Sequence, residues 1–336
     1  MRIVITGVAG FIGSSLAEYL LNLGYTVIGI DNFVCGYYEN ISQLITSFNN
    51  FHFYNKSIDD NEIENILQKN DILIHLAAIS SLASNQSEPY FSYCNNVSGT
   101  LLLLEISRKK GVKHFIFAST SAIYENSNNF PLSENDNSQP NLIYSLGKKH
   151  CEDLIKSYNE VYGIQYSILR FFNVFGKNQD SNRKNPALVP YIISMFKKNE
   201  KPILHSNGTQ KRDYVYIDDV IELMNVVLNN NPINDAVNVS SGKVISVKEI
   251  VEIIKKEMNI DIEPIYRDPS LLWENSKQLW EGEYTFSKKR MCEEVEKYTI
   301  GDTNKAYKIY NWKANNNLED GIKKILHRSI SKLEYN

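Results

Sequence analysis

Two side chains in the stretch IYSLGKKHCEDLIKSY (143–158) have the types and spacing for proton transfer. The stretch reads as helix, and Tyr144 and Lys148, four residues apart, share one face of it. A free phenol has a pKa of about 10, too high for a useful base near neutrality. An ammonium one helical turn away favours the phenolate and would make Tyr144 an acid/base. The alternative is a surface contact of little value, and the rest of the chain has to decide between them.

A second constellation lies at the start of the chain. TGVAGFIGS puts Gly7, Gly10 and Gly13 between an apolar strand and a helix. Gly7 permits a tight turn, Gly10 lets the backbone approach a pyrophosphate, and Gly13 lets the helix pack against the strand. The helix N-terminus then offers free N–H groups and a positive dipole end to the phosphates. About twenty residues on, a second strand ends in Asp31, where an acceptor for a ribose 2′-hydroxyl belongs. A carboxylate there repels a 2′-phosphate, and Asn32 and Phe33 supply no arginine to bind one. NAD is therefore expected over NADP.

These groups need a scaffold. Short β-branched runs alternate with helical patterns: IVITG (3–7), TVIGID (26–31), FHFYNKSI (51–58), DILIHLAA (71–78), HFIFAST (114–120) and YSILRFFNVFG (166–176). Apolar strands separated by helices imply an α/β fold, a Rossmann doubly wound parallel sheet covered on both faces. After Gly176 the pattern changes, through a polar loop (178–186), to two strand-and-helix units, KRDYVYIDDVIELMNVVLNN and VNVSSGKVISVKEIVEIIKKEM. We expect residues 1–176, completed by 213–240, to form the dinucleotide-binding unit. A smaller C-terminal α/β lobe, 177–212 and 241–336, would bind substrate. The stretch 268–300 is weakly periodic and holds Trp273, Trp280 and the basic run Lys288, Lys289, Arg290.

The chain has 336 residues, 43% of them hydrophobic and 22% charged, with a formal net charge of −3. That balance gives no reason to expect nucleic acid or an anionic membrane surface as partner. Four scattered cysteines, 35, 94, 151 and 292, lack metal-ligand spacing and suit a reducing compartment. No apolar run approaches the ~18 residues of a membrane span. A soluble, cytoplasmic protein without a metal is expected.

TGVAGFIG, HLAA (75–78), STSAIY (119–124), YSLGK (144–148), RFFNVFG (170–176) and KRDYVYIDDV (211–220) together resemble the extended short-chain dehydrogenases/reductases. Within them the chain is similar to the nucleotide-sugar epimerase/dehydratase branch, such as UDP-glucose and UDP-N-acetylglucosamine 4-epimerases. The resemblance implies Thr120, Tyr144 and Lys148 as catalytic residues. Tyr144 would take the C4 hydroxyl proton while C4 hydride passes to bound NAD and returns to the opposite face. It implies Gly7, Gly10, Phe11, Ile12, Gly13, Asp31, Asn32, Ser57, Ile58, Leu76, Ala77 and Ala78, with Tyr144 and Lys148, around the cofactor. Ser57 stands where many relatives have an Asp for the adenine amino group. His75 resembles a packing residue. For a nucleotide-diphosphate sugar it implies Ser121, Asn173 beside the diphosphate, Leu188 against the base, and Arg212 on the diphosphate. An ion pair of Arg212 with Asp213 or Asp218 is the structural alternative. Ser270 aligns with the family's second phosphate arginine, so Arg267, or the run 288–290, is expected to substitute.

Dehydratases of this branch carry an Asp-Glu pair after the threonine, and related decarboxylases keep the Glu. Here Ser121 and Ala122 cannot exchange a proton, which leaves 4-epimerisation. A simple dehydrogenase, or an epimerase at another carbon such as C2, would use the same residues, and a silent NAD-binding regulatory protein would share the fold. Glu125, in place of the usual Gly, reads as a solvated loop carboxylate. A homodimer is implied through the helix after Asn96 and the Tyr144 helix, and the usual setting is polysaccharide or glycoconjugate precursor synthesis.

Overall fold

The computed structural model describes residues 1–181 and 183–331. Asn182, in the polar loop, and 332–336, at the end of the expected C-terminal lobe, lie outside the described residues. The strands, in chain order, are β1 (Arg2–Thr6), β2 (Thr26–Asp31), β3 (Phe51–Asn55), β4 (Ile72–His75), β5 (His114–Thr120), β6 (Tyr166–Phe171), β7 (Asn173–Phe175), β8 (Ile203–His205), β9 (Lys211–Tyr216), β10 (Ala236–Val239), β11 (Val244–Ser246) and β12 (Ile265–Arg267). Seven of them make one sheet in the order β10-β6-β5-β4-β1-β2-β3. Every pairing in it is parallel. The order reverses at β1, whose neighbours are β2 and β4, so a crevice opens beyond their carboxyl ends.

Alternate residues of each strand enter opposite cores. Ile3 and Ile5 face the Phe11–Asn22 and Ile217–Asn229 helices, with Leu16, Ala17 and Val220. Val4 faces the other way, with Leu103, Leu104, Cys151 and Ile155 from the Gly99–Lys110 and Ile143–Tyr162 helices. Burial on both faces accounts for the continuous apolar runs.

The run 166–176 is not one strand. β6 lies between β5 and β10, and after Phe172 the chain leaves the sheet as β7, which pairs with β9. VNVSSGKVIS likewise splits: β10 completes the large sheet, and β11 turns back antiparallel to β9. Side-chain pattern hides both breaks, because each piece stays apolar while its hydrogen-bonding partner changes. A buried Asp213 fixes the second break. Its carboxylate accepts hydrogen bonds from Ser240 Oγ (2.6 Å), Ser241 N (2.9 Å) and Gly242 N (3.0 Å).

A charged network ties the sheet to the Ile143–Tyr162 helix. Arg170 on β6 grips Glu152 with Nε (3.0 Å) and Nη2 (2.7 Å). Ser119 Oγ donates to the same carboxylate at 2.5 Å. Arg170 Nη1 donates to Tyr124 Oη (2.8 Å), which donates to Asn238 on β10 (2.8 Å). The side chains of Glu152 and Arg170 are 0% and 4% exposed. Removing one member of such a pair leaves the other charged and buried. Arg170→Met should therefore lower the unfolding free energy by about 3–5 kcal/mol in denaturant titration; a loss under about 1 kcal/mol would mean that Glu152 is not held as described.

Candidate active site

The glycine loop fills the crevice between β1 and β4. Gly7 has a φ of +74°, and a Cβ there would lie 2.7 Å from Ala77 N. A Cβ on Gly13 would lie 2.1 Å from Gly7 O. Both positions exclude any side chain, so the backbone itself forms the floor of the cradle. Gly10 is the N-cap of the Phe11–Asn22 helix, and no side chain caps it. That arrangement fits a dinucleotide pyrophosphate.

Asp31 ends β2 and holds this loop. Its Oδ2 accepts from Ala9 N (2.9 Å) and its Oδ1 from Phe33 N (2.8 Å). Burial raises its pKa, against the lowering effect of these backbone bonds. Asn32 Nδ2 donates to Ser57 Oγ (3.2 Å), which places both beside the same strand ends. Ile58 is core, packed where a Cβ on Gly99 would meet it, so its side chain turns away from the crevice. Leu76, Ala77 and Ala78 follow β4, with Ala77 N directed at Thr6 Oγ1 (3.4 Å).

His75 is buried between Thr6 Oγ1 (2.8 Å from Nδ1) and Thr100 Oγ1 (3.0 Å from Nε2). Thr100 donates its own proton to Asn96 O (2.6 Å), so the ring is the Nε2–H tautomer. Burial, and then Lys148, push its pKa down to about 3. It is a neutral packing residue.

Thr120 is the last residue of β5. Its Oγ1 accepts from Ala122 N (3.1 Å), which leaves its proton free to turn toward the nearby Tyr144 hydroxyl. Tyr144 is partly buried. Lys148, 3% exposed, donates to Ala118 O (2.7 Å) and lies 4.5 Å from the centre of the Phe117 ring. The expected electrostatics need correction here. Burial pushes the Tyr144 phenol up to about 12, opposed first by the neighbouring Thr120 hydroxyl and then by Arg183. Burial likewise drops Lys148 to about 8. Desolvation outweighs the helical-turn spacing, and the ammonium is directed at a carbonyl.

On the substrate side, Ser121 and Ala122 begin the short helix after Thr120. Asn173 Nδ2 donates to Asp213 O (2.7 Å), and Leu188 opens the Leu188–Lys197 helix, partly buried. Arg212 makes neither expected ion pair. Asp213 is engaged by residues 240–242, and Asp218 pairs with Lys324 (3.6 Å). Arg212 Nη2 instead donates to Glu294 O (2.6 Å) and Val295 O (3.2 Å), near the end of the Lys288–Glu296 helix. Arg267 stands on the β8–β12 ribbon, forked to Glu274 (2.5 and 3.1 Å). The structure does not join it to the other site residues.

Segment 268–300 packs into a small core of its own. Trp273, Leu279 and Met291 meet Ala83 and Leu142, with Trp280 and Phe286 at its margin. Glu125 is not solvated: its side chain is 1% exposed and faces the start of the Tyr144 helix. One signal was legible. NLIYS offers no Ser, Thr, Asp or Asn directly before Ile143, so the helix start needed a partner from elsewhere.

Among the described residues there is no group of three or more His, Cys, Asp or Glu that could hold a metal, and no helix is long and apolar enough to cross a membrane.

The family described as GDP-mannose 4,6 dehydratase matches residues 4–325. A UDP-glucuronate 4-epimerase of Thermodesulfobacterium geofontis is 31% identical over 344 residues, covering 98% of this chain and 97% of its own. The solved UDP-glucose 4-epimerase of Thermotoga maritima, with UDP-glucose, matches with a TM-score of 0.86 at 29% identity, over 99% of this chain and 100% of that one. The UDP-glucuronic acid 4-epimerase of Bacillus cereus, in complex with UDP-glucuronic acid and NAD, gives 0.83 at 27% identity, over 99% and 100%.

The lysine shift makes a stability prediction. The unfolded chain keeps the Lys148 proton up to 10.5, and the folded chain releases it near 8. The unfolded state thus binds more protons between those values, and this group's contribution to stability rises with pH there. The raised Tyr144 acts in the opposite direction only above its unfolded value of 10. Between about pH 7 and 10, the stability difference between wild type and Lys148→Met should change by roughly 2–3 kcal/mol in favour of wild type. Parallel stability curves for the two proteins, by denaturant unfolding without cofactor, would refute it.

Proposed function

We propose a reaction for a chain that belongs to the GDP-mannose 4,6-dehydratase family: it is an NAD-dependent nucleotide-sugar 4-epimerase, an isomerase. The observation that carries the reading is Thr120 beside the Tyr144 hydroxyl, followed along the chain by Ser121 and Ala122. Dehydration across C5–C6 needs an acid and a base at those two positions, and neither residue can act as one. The next carboxylate along the chain, Glu125, is engaged at the helix start. What remains for this pair is proton exchange at a single sugar hydroxyl.

The glycine loop, Asp31, Asn32, Ser57 and the 76–78 strand end would hold NAD, with Lys148 at the ribose of its reactive end. When bound, NAD supplies a reversible two-electron oxidant for the sugar C4. Tyr144 removes the C4 hydroxyl proton and later gives it back. Thr120 orients that hydroxyl and stabilises the phenolate by donating to it. A phenol near 12 is a poor base, so the site waits for positive charge. Tyr144, desolvated, would have its phenol lowered by a cationic nicotinamide held at this site, since water there screens little. Lys148, fixed on Ala118 O, keeps the helix turn in place.

The substrate is a nucleotide-diphosphate sugar. Asn173, Leu188 and Arg212 are assigned to it, with Ser121 beside the sugar. Arg267 would have to leave Glu274 to reach a phosphate. In this reading residues 1–176 and 213–240 serve the cofactor, and 177–212 and 241–336 the nucleotide sugar. The molecule works as a cytoplasmic homodimer in polysaccharide precursor synthesis. The exposed Leu101, Val161 and Tyr162 on the two helices concerned support the pairing.

Incubation with UDP-, dTDP-, GDP- and CDP-sugars in D2O, followed by proton NMR, tests the reaction. A 4-epimer without deuterium at C4 is expected. A 4-keto-6-deoxy product with deuterium at C5 would establish a dehydratase instead, and net NADH accumulation an oxidation without return. Tyr144→Phe should cut turnover by roughly 10²–10⁴-fold and leave NAD binding intact; near-normal turnover would remove Tyr144 from the mechanism.

A further inference from the structure

The helix that carries Tyr144 starts without a local cap. Its N-cap is Leu142, whose side chain accepts nothing. Glu125, arriving from the loop after β5, does this work from a distance. Its Oε1 accepts from the backbone N–H groups of Asn141 and Leu142 (2.9 Å for Leu142). Its Oε2 accepts from Ser145 Oγ (2.8 Å), the residue next to Tyr144. Gln86 takes the following N–H, that of Ile143, at 3.3 Å. A carboxylate at this end also meets the positive pole of a 20-residue helix.

A buried carboxylate needs a counter-charge, and segment 268–300 delivers it. Arg290 Nη2 lies 3.5 Å from Glu125 Oε2 and 3.2 Å from Glu294 Oε2. Its Nε is 3.4 Å from Asn141 Oδ1, on the same helix start. The Arg290 side chain is 16% exposed, so solvent screens this cluster only in part. The helix that carries Arg290 is held near its other end by Arg212.

We infer that Glu125, neutralised by Arg290, is a positioning residue for Tyr144: it fixes the first turn of the catalytic helix, and Arg290 makes that placement depend on segment 268–300. The inference rests on Tyr144 being the acid/base. Placement is where the effect must appear. Tyr144 meets Thr120 across the gap between helix and sheet, and a displacement near 1 Å there costs on the order of 10²-fold in rate. Arg290, one of the cations offered in sequence for a phosphate, is engaged here with Glu125, Glu294 and Asn141, so binding should be spared.

The experiment compares Glu125→Ala, Glu125→Gln, Arg290→Met and the Glu125→Ala/Arg290→Met pair with wild type. Two readouts are taken below the melting temperature of each. The first is the ¹³Cζ-tyrosine NMR resonance of Tyr144, identified by its absence in Tyr144→Phe. The second is kcat and KM with whichever nucleotide sugar wild type epimerises. The Tyr144 resonance should shift or broaden in every variant. Turnover should fall roughly tenfold to hundredfold with KM and bound NAD within about twofold. Glu125→Gln, which keeps one acceptor oxygen, should fall least, and the pair no further than its worse member. An unmoved Tyr144 resonance, or a KM rise at constant kcat, would overturn the inference. If Glu125→Ala does not fold, Glu125→Gln and Arg290→Met carry the test. Should wild type epimerise nothing, the epimerase reading fails, and the resonance alone still decides whether Glu125 positions Tyr144.

Discussion

The structure depends on the register between one helix and one strand end. Tyr144, Lys148 and Glu152 recur every four residues and share a face of the Ile143–Tyr162 helix. Their partners are consecutive on β5: Thr120 for Tyr144, Ala118 O for Lys148 and Ser119 for Glu152. Slipping the helix by one turn would break all three contacts together. Glu152 sets the register most firmly, because its charge is buried and its one guanidinium partner, Arg170, comes from the next strand. An apolar face could slide at modest cost; a paired buried charge cannot. The network continues through Tyr124 to Asn238, so β5, β6, β10 and the Ile143–Tyr162 helix are located by one connected set of bonds.

The cofactor side obeys a steric constraint. Gly7 and Gly13 leave no room for a Cβ, and Asp31 fastens the intervening backbone at Ala9. The same carboxylate therefore shapes the loop from both of its oxygens. Beneath it, neutral His75 joins β1, β4 and the Gly99–Lys110 helix through two threonine hydroxyls. Desolvation is the largest influence on the Tyr144 phenol and favours its protonated form.

Segment 268–300 is weakly periodic in sequence, and its aromatic residues give it a place in the fold. Trp273 packs 5.5 Å from Phe286, and Trp280 Nε1 donates to Trp273 O (3.1 Å). Together they seat the segment against Ala83 and Leu142, beside the catalytic helix start. Its basic run divides: Lys289 is exposed, while Arg290 turns inward to Glu125. The segment thus reaches the catalytic helix by packing and by charge.

Local rules made much of this molecule legible in its sequence. Glycine spacing between strand and helix, a carboxylate at the end of β2, and tyrosine and lysine one helical turn apart each constrain only near neighbours, so the chain order contains them. The parallel sheet follows in the same way, from apolar runs of strand length separated by helices. The breaks after Phe171 and Val239 escaped that logic, since a strand can change partners without changing its side-chain pattern. Tertiary structure alone decided the long-range pairs. Glu125 meets Arg290, Arg170 meets Glu152, Arg212 meets the carbonyls of Glu294 and Val295, and Arg267 is taken by Glu274. A charged side chain in a sequence has a type but no address: whether it is solvated, caps a helix or balances a buried charge depends on which distant segment the fold brings to it. The pKa values of Tyr144 and Lys148 belong with these decisions, because desolvation is a property of everything packed around a group, and spacing along one helix cannot report it.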